Sequence, residues 1–311
     1  MRHPGRPKGE YRRAQHEGKP VSGPRWLALA STVLALLALT AAPAQGVDEA
    51  APLQLSARLF ALEVERRLEV PADAQAALIA LLDDALARAG LAALPPQHVL
   101  VVDRSPQVQA AFVLLRTPAG GWQWVGASPV ATGRVGSFDH FRTPLGLFAH
   151  SLENLDFRAE GTLNSNGIRG YGARGMRVFD FGWVQAERGW GAGGSSEMRL
   201  QMHATDADLL EPRLGQVASK GCIRIPASLN SFIDRRGLLD ADYAQALVQG
   251  RAMWMLRADR QPLAWPGRWM VVVDSQTRER PAWSPLPTPP TQRAQAAART
   301  PTTATGDCTR G

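Results

Sequence analysis

The hydrophobic pattern changes its period at Pro95-Pro96, and that change restricts the fold more than any other feature of the sequence. Before it, residues 47–94 repeat apolar side chains at helical spacing, with Pro71-Ala72-Asp73 as break and cap between two runs. After it come short apolar stretches at 98–102, 108–116 and 122–130, separated by Asp103-Arg104-Ser105-Pro106 and Pro118-Ala119-Gly120-Gly121. Successive short strands joined by tight turns predict an antiparallel, mainly β body with short helices, preceded by a small helical segment.

Further along, residues 161–196 are rich in Gly, Ser and Asn, with Arg169, Tyr171, Arg174, Trp183 and Trp190 interleaved. A polar stretch of that length inside a compact domain reads either as a binding loop or as disordered, and its aromatics either serve binding or pack the loop down; its place just before a histidine-bearing strand suggests a lid. Residues 228–250 have helical spacing, and 251–256 and 268–274 read as strands. From Arg280 the sequence turns rich in proline and threonine, with too little apolar material for a core, so a disordered tail over 276–311 is expected.

The first 44 residues read as a leader. Residues 1–25 carry seven Lys/Arg against two Glu, residues 26–42 are uncharged and apolar, and Ala42-Pro43-Ala44 supplies small residues of the cleavage-site kind. A secretory signal is expected; the alternative is a retained membrane anchor, because seventeen apolar residues sit at the lower edge of the roughly 17–25 that span a bilayer. Either implies export to the periplasm or cell envelope. Four segments follow: leader 1–44, helical prelude and linker 45–96, body 97–275 and tail 276–311. Without the leader's charges the formal +7 falls to +2, so the basic balance carries no nucleic-acid footprint.

Two cysteines are present, Cys222 and Cys308. An even pair in an exported chain invites a disulfide. Cys308, however, lies in a tail with no packing pattern, and Cys222 lies in a stretch with the residue types of a nucleophilic site. The expectation is therefore an unpaired Cys222 thiol with a chemical task. His203 ends an apolar strand, fifteen residues follow, and Ser219-Lys220-Gly221-Cys222 then turns into Ile223-Arg224-Ile225. Cysteine acts as a thiolate, and an imidazole that takes its proton favours that form. Gly221 permits a sharp turn, and the backbone amides of Lys220, Gly221 and Cys222 are candidate donors to a developing oxyanion. The bland alternatives remain: His203 as a satisfied residue at a strand end, Cys222 as a small core residue.

The stretch from His203 to Arg224 resembles the signature of L,D-transpeptidase (YkuD-type) catalytic domains, in which a histidine precedes a Ser/Thr-His-Gly-Cys run by a similar gap. The likeness extends to Val130-Ala131-Thr132-Gly133-Arg134, to Arg142-Thr143-Pro144-Leu145-Gly146, and to a closing strand at 250–256, covering residues 97–258. The resemblance implies a β-sandwich-like domain acting on peptidoglycan stem peptides. Cys222 would attack the third residue's carbonyl and expel terminal D-alanine, and His203 would serve as base and then acid, oriented by the carbonyl of Ala204 or a neighbour. Arg224, Ser219 and Tyr171 would contact substrate, Arg224 as a carboxylate clamp, the alternative for Arg224 being an ion-paired structural residue. The acyl group would pass to an amine, as in cell-wall cross-linking, or to water in a carboxypeptidase or cross-link hydrolase; an inactive wall-binding protein is the alternative of another class. Lys220 departs from the pattern, standing where the family has a second histidine. It is read either as an ammonium near the sulfur or as a solvated side chain. No cofactor is expected, and the remaining histidines show no metal-ligand spacing.

Overall fold

The computed structural model describes residues 50–288. The leader and most of the tail lie outside the described residues, and within those that are described no helix is long and apolar enough to cross a membrane.

Both expected helices of the prelude are present, α1 (Ala50–Glu63) and α2 (Ala72–Arg88). They lead into an antiparallel meander of β1 (Gln97–Asp103), β2 (Ala110–Arg116) and β3 (Trp122–Pro129). Next in the chain come β4 (Gly146–Ala149), β5 (Phe157–Arg158), β6 (Arg177–Glu187) and β7 (Ser195–Ala204). A crossover carrying one 3-10 turn then reaches β8 (Ile223–Ile225), α3 (Ala227–Arg236), α4 (Ala241–Val248) and β9 (Trp269–Val273). The strands form two sheets, a five-stranded one in the order β3-β2-β1-β9-β4 and a four-stranded one in the order β5-β6-β7-β8. The body is thus sheet-rich with short helices.

Alternation along β1 explains why every one of its residues is buried. Leu100 and Val102 join a core with Phe179, Met202 and Ile223 of the second sheet, whereas Val99 and Val101 face the opposite way onto Leu78, Leu82 and Leu86 of α2. The prelude is part of the fold. Phe60 of α1 enters the inter-sheet core edge-on to Phe232 of α3 at 5.4 Å, and Glu63 pairs with Arg236.

Several expectations are corrected. The body is not purely antiparallel: β1 pairs with β9, and β7 with β8, in parallel. A parallel neighbour needs a long crossover, and the polar stretch after His203, read only as a loop, supplies one. Residues 251–256 are turn rather than strand, so the strand that closes the first sheet is β9. Residues 161–196 do not form one lid: β6 and the start of β7 occupy much of the segment, joined by a glycine-rich hairpin turn. Its glycines marked a bulge and a turn inside a strand pair, which masked the alternation. Finally, the start of the tail is docked. Trp283 packs 6.1 Å from Phe112, the Ser284 hydroxyl donates to the Gln107 and Val108 carbonyls, and Arg280 donates to Pro285. One aromatic side chain and a few satisfied backbone groups hold an extended segment without the periodicity a helix or strand would show.

Candidate active site

The parallel β7–β8 pairing puts His203 opposite Arg224, with Met202 opposite Ile223 and Ala204 opposite Ile225. Side chains alternate between faces, so His203 and Arg224 project from the same side of the sheet, away from the core that holds Met202 and Ile223. Cys222 lies two residues before Arg224, at the turn that feeds β8, and its sulfur is 3.9 Å from the Arg199 carbonyl of β7. The turn that carries Cys222 therefore leads into the strand paired with the one that carries His203.

His203 is buried, and its Nδ1 donates to the Ala204 carbonyl at 2.6 Å. That bond fixes the tautomer and leaves the lone pair on Nε2, the arrangement a general base requires. The Tyr171 ring stands edge-on to the imidazole with centroids 4.7 Å apart, and its hydroxyl donates to Gln201 Oε1 at 3.2 Å. Tyr171 thus positions the histidine by packing. The crossover leaving His203 is capped by buried Asp206, whose carboxylate accepts from the amides of Arg169, Asp208 and Leu209.

The turn before Cys222 is braced from several directions. Gly221 has φ +139°, which a residue with a Cβ adopts only under strain. The Ser219 hydroxyl donates to the Cys222 carbonyl at 2.5 Å and accepts from the Gly221 amide at 3.1 Å. Thr143 donates to the Gly221 carbonyl at 2.7 Å and accepts from the Gly133 amide at 2.8 Å. Phe141 donates its amide to the Lys220 carbonyl at 2.9 Å. The two upstream segments that carried the family likeness, around Gly133 and Thr143, are therefore brought onto the cysteine turn itself.

These contacts revise some assigned roles. Ser219 is fully buried and spends its hydroxyl inside the turn, so it is a brace and not a substrate contact. The Gly221 amide is engaged by Ser219, which removes it from the candidate oxyanion donors; among the described residues the Lys220 amide gives no hydrogen bond. Lys220 is not simply a solvated side chain, because its ammonium lies 3.4 Å from Asp139 in a half-buried ion pair. Arg224 donates to the Ala218 carbonyl at 3.4 Å while its side chain stays on the His203 face.

Cys222 is disulfide-bonded in this structure, which overturns the expectation of an unpaired thiol. Cys308, the other cysteine of the sequence, lies outside the described residues. Thiolate chemistry at this position requires the bond to be reduced first.

The sequence reading missed Thr143 as a brace, Asp139 as the partner of Lys220, and Gln201 and Arg199. The last two were findable, because positions two and four before a strand histidine share its face. Among the described residues no group of three or more His, Cys, Asp or Glu is placed to hold a metal ion. No model of a known protein family matches the chain, and no curated protein matches it either.

Proposed function

We propose that the chain is a cysteine-dependent L,D-transpeptidase that acts in the cell envelope on peptidoglycan stem peptides. The observation that carries this reading is the parallel pairing that sets His203, its Nδ1 held by Ala204, beside the braced turn of Cys222. In the reduced protein the Cys222 thiol gives its proton to His203 Nε2, and the sulfur attacks the carbonyl carbon of the third stem residue. The tetrahedral oxyanion collapses, the C–N bond to terminal D-alanine breaks, and His203 returns the proton to the leaving amine. An acceptor amine then attacks the thioester, with His203 again as base, and the freed thiol is restored; water in the same role gives a hydrolase. The Lys220 amide, with that of Cys222, is the donor set offered to the oxyanion.

A second reading, a wall-binding protein without turnover, is favoured by one observation, the disulfide at Cys222. One experiment separates them. Protein with and without prior reduction is incubated with a stem tetrapeptide, and released D-alanine and the mass of the Cys222 peptide are measured. The transferase reading expects D-alanine release and a thioester-linked tripeptide on Cys222 after reduction, both abolished in Cys222→Ala. An adduct-free reduced protein that still sediments with isolated peptidoglycan gives the second reading instead. Adding an amine acceptor to an active sample shows whether transfer or hydrolysis prevails.

A further inference from the structure

The face of the second sheet that carries His203 continues past it as a row of polar and aromatic groups that the reaction above does not use. Arg199, Gln201 and His203 alternate along β7 and share that face. Opposite them on β6, Asp180 and Trp183 are three residues apart, a spacing that in a regular strand would send them to opposite sides. A bulge at 180–183 resolves this: the register shifts there, Gly182 takes φ +83°, and its amide donates to Asp180 Oδ1 at 2.8 Å. Any other residue would be strained at that φ, and its Cβ would displace the Asn154 side chain, whose nitrogen lies 2.6 Å from the Cβ position. Trp183 and Asp180 are both delivered to the His203 side.

What they frame there is Arg199. Its Nε donates to Asp180 Oδ1 and Oδ2 at 2.9 and 3.0 Å, and its guanidinium stands 5.6 Å from the Trp183 ring centre. Asp180 is fixed in turn by the Gln201 amide at 2.9 Å, and Gln201 accepts from Tyr171, the residue packed on His203. One hydrogen-bonded row therefore connects the guanidinium to the imidazole's packing partner. Asp180 takes up only the Nε edge: among the described residues the two Nη groups donate to no acceptor, and the Arg199 side chain is 19% exposed. Trp183, an aromatic on a sheet face, is 49% exposed. An orientated guanidinium with its fork open, beside a bare indole, suits a planar anion carried on an apolar or sugar-like body.

We infer that Arg199 and Trp183 form a carboxylate-recognition subsite for an extended peptide substrate, with Arg199 binding a side carboxylate of the peptide and Trp183 packing its neighbouring carbons. This inference rests on the proposed reaction for the identity of the peptide. The Cys222 sulfur lies 3.9 Å from the Arg199 carbonyl, so the guanidinium is about the length of one arginine side chain from the nucleophile. An extended peptide covers that distance in about two residues. The carboxylate recognised is therefore one or two residues from the carbonyl attacked by Cys222.

The test uses full-length protein carrying Cys222→Ala, so that neither turnover nor the disulfide enters, and two probes. One is a stem tetrapeptide with free side carboxylates, the other the same peptide with those carboxylates amidated. Calorimetry should show the free acid binding about tenfold or more tightly, a preference that shrinks with added salt. Adding Arg199→Gln should erase the preference, Arg199→Lys should retain part of it while keeping a cation beside Asp180, and Trp183→Ala should weaken both peptides about threefold. Equal affinities for the two peptides, binding of neither, or a preference that survives Arg199→Gln in folded protein would overturn the subsite. The proposed reaction fails by a different sign: discrimination persists here while reduced wild-type protein forms no thioester.

Discussion

His150 and His203 are buried alike, at 0% and 1% exposure, yet their surroundings give them opposite duties. His150 donates through both nitrogens, Nδ1 to the Leu239 carbonyl at 2.8 Å and Nε2 to Asp156 at 2.9 Å, so the ring is held as an imidazolium. It belongs to a closed set in which Arg177 contacts Asp156, Asp234 and Asp240, and Arg158 contacts Asp234. His150, Arg158 and Arg177 balance Asp156, Asp234 and Asp240 in charge. Burial alone would push His150 down, but the Asp156 carboxylate beside it holds it above its ordinary value. Against a burial that would raise it, His150 and Arg177 keep Asp156 below the usual carboxylate range. His203 is anchored through Nδ1 on a neutral carbonyl, not on a carboxylate, on a face that also carries Tyr171 and Arg224. A histidine with both protons committed to fixed acceptors, one of them a carboxylate, is held as a fixed charge; one anchored on a backbone carbonyl has no such carboxylate to hold it charged.

The sharpest division expected is in activity. His203→Ala should lower D-alanine release from reduced protein by about 10²–10⁴-fold while costing about 1 kcal/mol of stability. A comparable loss of activity in His150→Gln at full stability would dissolve the contrast. On the other side, Asp156→Ala removes the carboxylate of His150 and leaves Arg177 with only Asp234 and Asp240, and should cost about 3–5 kcal/mol in denaturant titration. A loss below about 1 kcal/mol would mean that the charge set is not closed.

The pH dependence of stability extends the comparison to a third histidine. His98 accepts from the Ser56 hydroxyl and donates to the Trp265 carbonyl, and burial pushes it down to about 4. Its folded value lies below its ordinary 6.5, so its contribution is complete above 6.5 and is lost as pH falls toward 4, to a depth of about 3 kcal/mol. His150 acts in the opposite sense, since a raised folded value makes its contribution complete below 6.5 and lost as pH climbs through that folded value. His98→Gln should flatten the acid side of the stability profile and His150→Gln the alkaline side; an unchanged limb in either variant removes that histidine from the account. The smallest effect concerns Lys220, whose ammonium is held by Asp139. Lys220→Ala should change stability by less than about 1 kcal/mol and leave the pH profile of iodoacetamide labelling of reduced Cys222 where it is. A shift of that profile to higher pH would show the ammonium reaching the sulfur.

Periods of hydrophobicity made α1, α2, the β1–β3 meander and β9 readable, because each is set by side chains two to four positions apart that must share a face. The same locality made His203 and the Ser219–Cys222 turn stand out, since the chemistry needs those residue types in a short span. What the sequence left open depends on partners distant along the chain. Whether β8 runs parallel to β7, and so brings Cys222 alongside His203, is decided by burying Ile223 and Ile225 against the first sheet, not by any local preference. The charge set joins residues from 150 to 240, and each member alone reads as a surface residue; only the balance of three cations against three carboxylates makes their burial tolerable. The bulge at Gly182 and the docking of Trp283 likewise follow from space left by Asn154 and Phe112. Sequence by itself determined which groups could do chemistry and which stretches would be helix or strand. Tertiary packing decided which of those groups meet, because pairing partners are selected by shared burial over distances that no local pattern encodes.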